Sequence, residues 1–270
     1  MSTDATRCHP IDTRLPERLR SGQPLHGIFN SIPSPALVEM CAYAGFDFIV
    51  IDNEHGSADL QTTEHMLRAA RAAGIAPIVR CFEHDIPRVL DMGASGVQVP
   101  MVETPEQAER LAGRVRYPLP PGREGLRGQR GSAFSGRAAG YGFFGGPAHT
   151  ALSNQGLVLV VMVETPLGVA NAAAIAAVPG VDAVFVGPND LAHSMGFENR
   201  WQEPPVQAAI EHATRATVAA GKCAGVLALD SAEQQRYASW GARYFAQVAT
   251  SLITRALRDA ARGGAPALSY

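Results

Sequence analysis

Acidic, basic and imidazole side chains stand at the ends of several strand-like segments of this sequence. Asp52, Glu54 and His55 follow the apolar run FDFIVI in the stretch FDFIVIDNEHG. The others are Arg80 at the end of APIVR, Glu164 at the end of LVLVVMVE, and Asp190, three residues after DAVFVG. Residue types that bind metal ions and move protons therefore occur at four separate points of the chain.

These residue types suggest metal-assisted chemistry on a small acid. Glu164 and Asp190 offer hard oxygen ligands with no cysteine or second histidine beside them, which suits Mg²⁺, Mn²⁺ or Co²⁺ better than a structural zinc ion. An octahedral ion with open positions can chelate a 2-oxo acid and stabilise its enolate as a Lewis acid. Arg80 would add positive charge beside the enolate oxygen. His55, oriented by Asp52, would then act as a general base.

The elements that must position these residues alternate between strand-like and helix-like segments. The strand-like runs cover residues 26–30, 46–52, 76–81, 96–102, 157–164, 182–187, 223–229 and 244–249. They are continuously apolar, which is typical of parallel strands covered on both faces. Helix-like segments such as TTEHMLRAARAAG lie between them and end at glycine. This pattern predicts a TIM (β/α)8 barrel, in which active sites gather at the C-terminal ends of the strands.

A doubly wound open sheet is the alternative fold. It would usually carry a glycine-rich phosphate-binding turn after the first strand. Residues 30–36, NSIPSPA, contain no glycine. The barrel is therefore the preferred fold.

Composition excludes several classes of partner. The chain has 270 residues and a formal net charge of −2, so it lacks the basic field that a nucleic-acid partner would require. Its longest apolar runs have the length of strands, and the charged N-terminus is not followed by an apolar stretch, so we predict no membrane association and no secretory signal. Cys8, Cys41, Cys81 and Cys223 have no paired spacing, which indicates free thiols and a cytoplasmic location.

One domain over residues 1–270 is the predicted organisation, since α/β barrels commonly reach this length. Residues 1–23 are expected to form an N-terminal extension with a helix. Residues 118–156 are rich in glycine and arginine and predict a long loop near the active site, which either covers the substrate or contacts another subunit. The last helix is expected at residues 250–262.

The motifs resemble, in order and spacing, those of the metal-dependent class II pyruvate aldolases of the HpcH/HpaI family. The matching segments are FDFIVIDNEHG, APIVRC, GVQVPMVET, PPGREGLRGQRG, VMVETPLGV and VFVGPNDLAHSMG, within about residues 24 to 258. That family includes 4-hydroxy-2-oxoheptanedioate aldolase and 2-dehydro-3-deoxyglucarate aldolase, with citrate lyase β-like proteins as more distant relatives. The resemblance implies a barrel of the phosphoenolpyruvate/pyruvate-binding type. It also implies reversible cleavage of a 4-hydroxy-2-oxo acid to pyruvate, or a close 2-oxo acid, and an aldehyde through a metal-bound enolate.

Site residues follow from the same resemblance, position by position. It implies that Glu164 and Asp190 bind the divalent ion, that Arg80 contacts the pyruvate unit, and that His55 with Asp52 forms the base dyad. The loop G-P-x-D-L places three further residues beside the substrate: Gly187, Pro188 and Asn189.

The resemblance also implies an assembly. Asp91, in RVLDMGA, corresponds to an aspartate that the family lends to the site of a neighbouring subunit. The family typically forms hexamers built from dimers that exchange C-terminal helices. A homohexamer with residues 250–262 as the exchanged helix is the resulting expectation.

Two departures from the family pattern lie close to the predicted site. Met162 stands where many relatives have glutamine, and CFEHD follows Arg80 where relatives often have a segment with proline and tryptophan. Metal and enolate chemistry should survive both changes. The preference for a particular aldehyde is the property that they would alter.

Three other functions remain to be weighed. A Schiff-base aldolase needs a lysine in the site, but the only lysine, Lys222, precedes the seventh strand and falls at the opposite end of the barrel. A lyase for CoA thioesters would need a surface for phosphates, which Arg123, Arg127 and Arg130 could supply. A barrel without catalysis, acting as a binding subunit, is the third.

Overall fold

Eight parallel strands form a closed barrel in the computed structural model, which describes residues 9–122 and 126–264. Each strand pairs with the next along the chain, and the first pairs with the last. The strands are β1 Leu25–Asn30, β2 Phe48–Asp52, β3 Ala76–Arg80, β4 Gly96–Val99, β5 Val158–Val163, β6 Ala183–Val186, β7 Cys223–Leu227 and β8 Tyr244–Val248. The predicted (β/α)8 barrel is confirmed.

The fourth strand is shorter than the sequence suggested. It ends at Val99 rather than at residue 102, because the chain turns at Met101, whose φ of 57° lies in the left-handed region. A methionine rarely adopts this conformation. The turn matters for the site, as described below.

Helices surround the barrel within the described residues. They are α1 Arg14–Arg20, α2 Pro35–Tyr43, α3 Leu60–Ala73, α4 Ile86–Asp91, α5 Pro105–Val115, α6 Pro147–Gly156, α7 Pro166–Ala170, α8 Ala172–Ala177, α9 Pro188–Ser194, α10 Pro204–Ala219, α11 Ser231–Ser239 and α12 Ala249–Ala261. Several begin at side-chain caps that satisfy free backbone N–H groups. Ser34, Asp59, Thr165 and Asp230 each accept a backbone hydrogen bond at such a start.

Two apolar clusters make up the core. One lies between the barrel and its surrounding helices, and the other fills the interior of the barrel. Phe48 and Tyr244 stack within the interior at 4.1 Å between ring centroids. Leu15 and Leu19 of α1 belong to the interior cluster, so α1 closes the N-terminal mouth of the barrel. The interior is therefore solid, and a ligand must bind at one end of it.

Residues 118–156 lie at the N-terminal end of the barrel, as far as the structure describes them. They join α5 to β5, and a connection from a helix to the next strand starts at that end by topology. Arg137 donates to the Met92 carbonyl at the end of α4, and His149 contacts His9. The prediction that this segment lies near the active site is therefore wrong for the site of its own chain. Its contact with another subunit stays a prediction.

The C-terminal helix is confirmed, one residue ahead of its predicted range of 250–262. Of α12, only Ala249 is buried, and Leu257 is 65% exposed. The helix contacts β8 and β1. The outer half of the helix is exposed on this chain.

Cys41, Cys81 and Cys223 are free thiols, as predicted, and Cys8 lies outside the described residues. Burial raises the pKa of Cys81 and of Cys223 to about 12. Among the described residues, no helix is long and apolar enough to cross a membrane. The cytoplasmic location stays a prediction.

Acid is expected to destabilise the contact between the N-terminal segment and α6. Burial lowers the pKa of His149 and of His9, so the unfolded chain binds protons at a higher pH than the folded one does. The stabilising contribution of the neutral rings is present above the ordinary pKa of 6.5 and is lost as the pH falls below it. Thermal unfolding between pH 5 and pH 8 measures this slope.

His149→Leu should flatten that slope, because leucine fills the aromatic pocket of Tyr117 and Phe134 without binding a proton. The matched control is His212→Gln on the exposed face of α10, which should leave the slope unchanged. An identical slope in His149→Leu and in the wild type would contradict the explanation.

Candidate active site

A cavity of about 370 Å³ opens at the C-terminal ends of the strands. It is lined by every predicted site residue except Asp91: Asp52, His55, Arg80, Glu164, Gly187, Pro188, Asn189 and Asp190. They come from the ends of β2, β3, β5 and β6, which the closed barrel brings to one rim. The structure thus unites residues that are up to 138 positions apart, from Asp52 to Asp190.

Asp52 and Arg80 form a buried bidentate pair across neighbouring strands. Arg80 Nε lies 2.8 Å from Asp52 Oδ1, and Arg80 Nη2 lies 2.6 Å from Asp52 Oδ2. The guanidinium also stacks over Phe29, with 4.9 Å to the ring centroid. Burial works against the charged Asp52 carboxyl, but the hydrogen bonds and charge of Arg80 outweigh it and lower the pKa of Asp52. The pair holds the Arg80 side chain at a set position on the cavity wall.

The predicted pairing of Asp52 with the His55 imidazole is wrong for this arrangement. Asp52 Oδ1 accepts hydrogen bonds from the backbone N–H groups of Glu54 and His55, at 3.1 and 3.2 Å. Both its oxygens are already bonded to Arg80. The imidazole instead lies with Nε2 3.8 Å from Glu54 Oε2, and its side chain is 64% exposed. Asp52 thus shapes the turn that carries His55 but does not orient its ring.

Glu54 contacts two of the predicted site residues, Arg80 and His55, although the predicted set did not include it. Its Oε2 atom lies 3.1 Å from Arg80 Nη1, so Arg80 bridges two carboxylates. Burial raises the pKa of Glu54, and the charge of Arg80 opposes this effect. The sequence signal that could have identified Glu54 was its position, two residues after Asp52 in the same turn. The sequence could not show which of the two acids faces the imidazole.

Glu164 is the most deeply buried acid of the cavity, with 2% of the residue exposed. Burial raises its pKa to about 7, assisted by the nearby charges of Asp190 and Glu54. Its Oε2 accepts a hydrogen bond of 2.8 Å from the backbone N–H of Met101. The left-handed turn at Met101 aims this N–H at the carboxylate. No motif in the sequence predicted this contact between the Met101 N–H and Glu164.

Because Gly187 has no side chain, the Glu164 carboxylate can lie next to its backbone. A Cβ atom added at Gly187 would stand 2.5 Å from Glu164 Oε1. Any larger residue would therefore displace the carboxylate. Pro188 begins α9 directly afterwards, and Asn189 and Asp190 are exposed in its first turn.

The carboxylate pair fits a divalent cation. Glu164 is buried near two other acids, so a negative charge is costly there without a compensating cation, and its pKa is raised accordingly. Within the described residues, no group of three His, Cys, Asp or Glu side chains forms a closed metal cage. Two carboxylates at an open cavity suit an ion that keeps several positions for substrate and water. Glu164 and Asp190 are therefore the residues that would hold it.

Asp91 lies away from this cavity. It ends α4 on the N-terminal side of the barrel, where Arg130 Nη2 lies 2.6 Å from its Oδ1. The same chain cannot bring Asp91 to its own site. Its contribution to a neighbouring subunit stays a prediction.

The residues needed by the alternative functions are poorly placed for them. Lys222 is at the N-terminal mouth, where its Nζ donates to the Val181 carbonyl at 2.6 Å, so it cannot serve as a Schiff-base lysine at the cavity. Arg130 is buried against Tyr117 and Asp91. Arg127 is exposed, and Arg123 lies outside the described residues. Neither alternative gains a site from the structure.

Comparison with known proteins decides the family. The model of the HpcH/HpaI aldolase/citrate lyase family matches residues 25–254, which include β1 to β8. The chain belongs to this family. It is an enzyme of the class II aldolase type, and the family in general depends on a divalent metal ion.

Individual relatives cover nearly the whole chain. A hydroxypyruvate/pyruvate aldolase of Delftia acidovorans is 39% identical over 246 residues, 90% of this chain and 87% of that protein. A 5-keto-4-deoxy-D-glucarate aldolase of Salmonella arizonae is 39% identical over 223 residues, 82% of this chain and 84% of that protein. A crystal structure of a family member from Burkholderia cenocepacia J2315 superposes with a TM-score of 0.86 at 34% identity, covering 93% of this chain and 99% of that one.

Proposed function

We propose that this aldolase reversibly cleaves a 4-hydroxy-2-oxo acid to pyruvate, or a close 2-oxo acid, and an aldehyde. The observation that carries the proposal is the convergence of Arg80, Glu164 and Asp190 on one cavity at the C-terminal rim. The names of the relatives support a 2-oxo acid such as pyruvate or hydroxypyruvate as one of the products.

Glu164 and Asp190 would hold Mg²⁺, Mn²⁺ or Co²⁺. When bound, such an ion supplies Lewis-acid stabilisation of negative charge on the oxygen of a 2-oxo group. Asp190, exposed in the first turn of α9, leaves the cavity side open to substrate. Glu164 contributes a carboxylate held by the Met101 N–H and shielded from water.

Arg80 stabilises the negative charge of the 2-oxo acid. Its guanidinium is fixed by Asp52 and by the Phe29 ring, so little reorganisation is needed when substrate charge develops. Since Arg80 contacts the carboxylates of both Asp52 and Glu54, a substrate must compete with one of them for its N–H groups. The weaker of the two contacts, that between Arg80 Nη1 and Glu54, is the one that a substrate oxygen would replace.

His55 moves the proton. In cleavage it takes the proton of the 4-hydroxyl group, the bond between C3 and C4 breaks to release the aldehyde, and the pyruvate enolate carbon is then protonated. The exposed imidazole has room to do this, and Glu54 is the nearest acid of the same chain. We further propose that Asp91 of a neighbouring subunit completes the base dyad, since Asp52 does not.

The aldehyde would lie on the opposite wall of the cavity. Trp201, Leu227, Leu229 and Val248 line the cavity there, and Met162 lines it next to Phe185, its partner across β5 and β6. Met162 is the residue that departs from the glutamine of many relatives. Its apolar side chain therefore supports an altered aldehyde preference in this chain.

Deuterium uptake into the methyl group of pyruvate tests the proposal without any choice of aldehyde. Metal-stripped protein in heavy water is compared by NMR with protein given Mg²⁺, Mn²⁺ or Co²⁺. Exchange that requires the metal ion is the expected result. Absence of exchange with all three ions would contradict enolate formation at this site.

His55→Ala is expected to slow this exchange by about 10²-fold, because a positioned base contributes at least that much to a proton transfer. Binding of the metal ion should be unaffected, since His55 is not one of its proposed ligands. His212→Ala, a change of an exposed histidine on α10, is the matched control. Equal exchange rates in the two variants would rule out His55 as the base.

We also propose that the chain assembles as a homohexamer built from dimers that exchange α12. The exposed apolar residue Leu257 supports this, because such a side chain gains stability when a partner covers it. Sedimentation of wild type and Leu257→Glu measures the assembly. A wild-type monomer at micromolar concentration would disprove it.

A further inference from the structure

A second cavity, of about 570 Å³, opens at the N-terminal mouth of the barrel, opposite the catalytic rim. It lies between the end of α1 and the starts of β6, β7 and β8. Arg20, Lys222 and Arg243 line it, together with one acid, Asp182. These cations come from three separate elements of the chain. None of them takes part in the proposed reaction.

The cations of this cavity lack acidic partners among the described residues. On α1, Arg14 pairs with Asp12, and Arg18 pairs with Asp47 at 2.7 Å. Arg20, at the end of the same helix, has no carboxylate within ion-pair distance in the part of the chain that the structure describes. The same holds there for Lys222 and Arg243, whose hydrogen bonds go only to backbone carbonyls.

The charge of the single acid, Asp182, is already neutralised by Arg116. Asp182 Oδ2 accepts from Arg116 Nη2 at 3.1 Å and from the Leu159 N–H at 2.9 Å. Arg116 is itself buried, with 7% exposed, and its Nη1 has no hydrogen-bond partner among the residues that the structure describes. Burial lowers the pKa of Arg116, and the charges of Arg130 and Arg20 lower it further. The region therefore carries an uncompensated positive charge.

Donor groups remain available to a ligand. Lys222 Nζ uses one bond, to the Val181 carbonyl, and an ammonium has three donors. Arg243 uses Nη1 for the Ala238 and Ala242 carbonyls, which leaves its other nitrogens. Guanidinium groups match the geometry of phosphate and carboxylate oxygens.

We propose that this cavity binds a small polyanion, a phosphate- or carboxylate-bearing metabolite, between α1 and the starts of β7 and β8. The ligand would neutralise Arg20, Lys222 and Arg243 together. It would also connect α1, which closes the barrel mouth, to the strands that it covers. The site is distinct from the catalytic cavity, because the filled barrel interior separates the two.

Lys222 provides a specific reporter, because it is the only lysine of the chain. Lysine labelled with ¹³C at Cε, supplied during expression, places the label in this one side chain and leaves the three donors of Nζ unmodified. The full-length protein, with Mg²⁺ present in excess, is titrated separately with inorganic phosphate and with tricarballylate. A saturable shift of the Lys222 resonance with a Kd of about 1 mM or below is expected for at least one of them. The stronger of the two identifies phosphate or carboxylate as the recognised group.

The variants Arg20→Gln and Arg243→Gln should each weaken this binding by about tenfold, because each removes a charge-assisted contact. Arg215→Gln on the exposed face of α10 makes the same charge change outside the cavity and should leave the Kd unaltered. No saturable shift with either anion, or equal affinities in all three variants, would overturn the proposal. Thermal unfolding of each variant without anion checks that it is folded.

Discussion

Replacing Glu164 with alanine is expected to reduce metal-dependent aldol cleavage by about 10³-fold or more, because the variant loses one of two proposed ligands of the catalytic ion. Asp190→Ala should have a similar effect. Isothermal titration with Mn²⁺ should show weaker binding in both variants. The rate with saturating metal ion and substrate measures the loss.

Glu103→Gln is the matched control for this experiment. Glu103 lies on the neighbouring loop after β4 and accepts a hydrogen bond from Thr165 Oγ1 at 2.7 Å, but it does not line the cavity. It should retain both metal binding and most of the activity. If Glu164→Ala and Glu103→Gln had equal rates, Glu164 could not be a ligand of the catalytic ion.

The ionisation of Glu164 should also make the stability of the folded protein depend on pH. Its pKa rises from the ordinary 4.5 to about 7, so the unfolded chain releases this proton first. In metal-stripped protein the folded state should lose stability as the pH rises from about 4.5 to about 7, by up to about 3 kcal/mol. Glu164→Gln should remove that loss and raise the melting temperature of metal-free protein at pH 8. A lower melting temperature than that of the wild type would contradict the assigned cause.

Arg80→Met should have the second large effect, on stability and on activity together. It leaves the Asp52 carboxylate buried without its partner, which typically costs about 3–5 kcal/mol. It also removes the positive charge expected to stabilise the enolate oxygen, worth about 10²-fold or more in rate. Urea unfolding and pyruvate deuterium exchange measure the two effects separately.

Arg80→Lys separates geometry from charge. Lysine keeps a positive charge but cannot reproduce the two parallel hydrogen bonds to Asp52. We expect intermediate stability and a low exchange rate. Arg215→Met, which breaks an exposed pair with Glu211, should change neither property much. Full activity in Arg80→Lys would show that charge alone suffices.

Predicting the fold succeeded because strand burial and helix periodicity are local properties of the sequence. All eight strands were located within two or three residues, since runs such as LVLVVMVE are apolar on both faces. Where the end of a strand depended on a turn, as at Met101, the predicted strand was too long. A left-handed methionine has no local signal and is held by contacts with the rest of the structure.

The sequence indicated which strand-end residues line one cavity but not which of them contact each other, and their roles in catalysis stay predictions. Asp52, Arg80, Glu164 and Asp190 were found because barrel topology places every such end at one rim. The assignment of Asp52 to the imidazole was wrong, because Asp52 accepts a hydrogen bond from the backbone N–H of His55 and not from its ring. Arg80, which lies opposite Asp52 on the adjacent strand β3, donates hydrogen bonds to both oxygens of the Asp52 carboxylate.

The sequence by itself determined the barrel, its family and the acidic, basic and imidazole groups of the rim. Only the tertiary structure decided which groups touch: Glu54 with Arg80, and the Met101 N–H with Glu164 across 63 residues. It also placed the described residues of the 118–156 segment at the N-terminal end and gathered Arg20, Lys222 and Arg243 around one cavity. Such contacts depend on the register and closure of eight strands, which are properties of the whole barrel and not of any one segment.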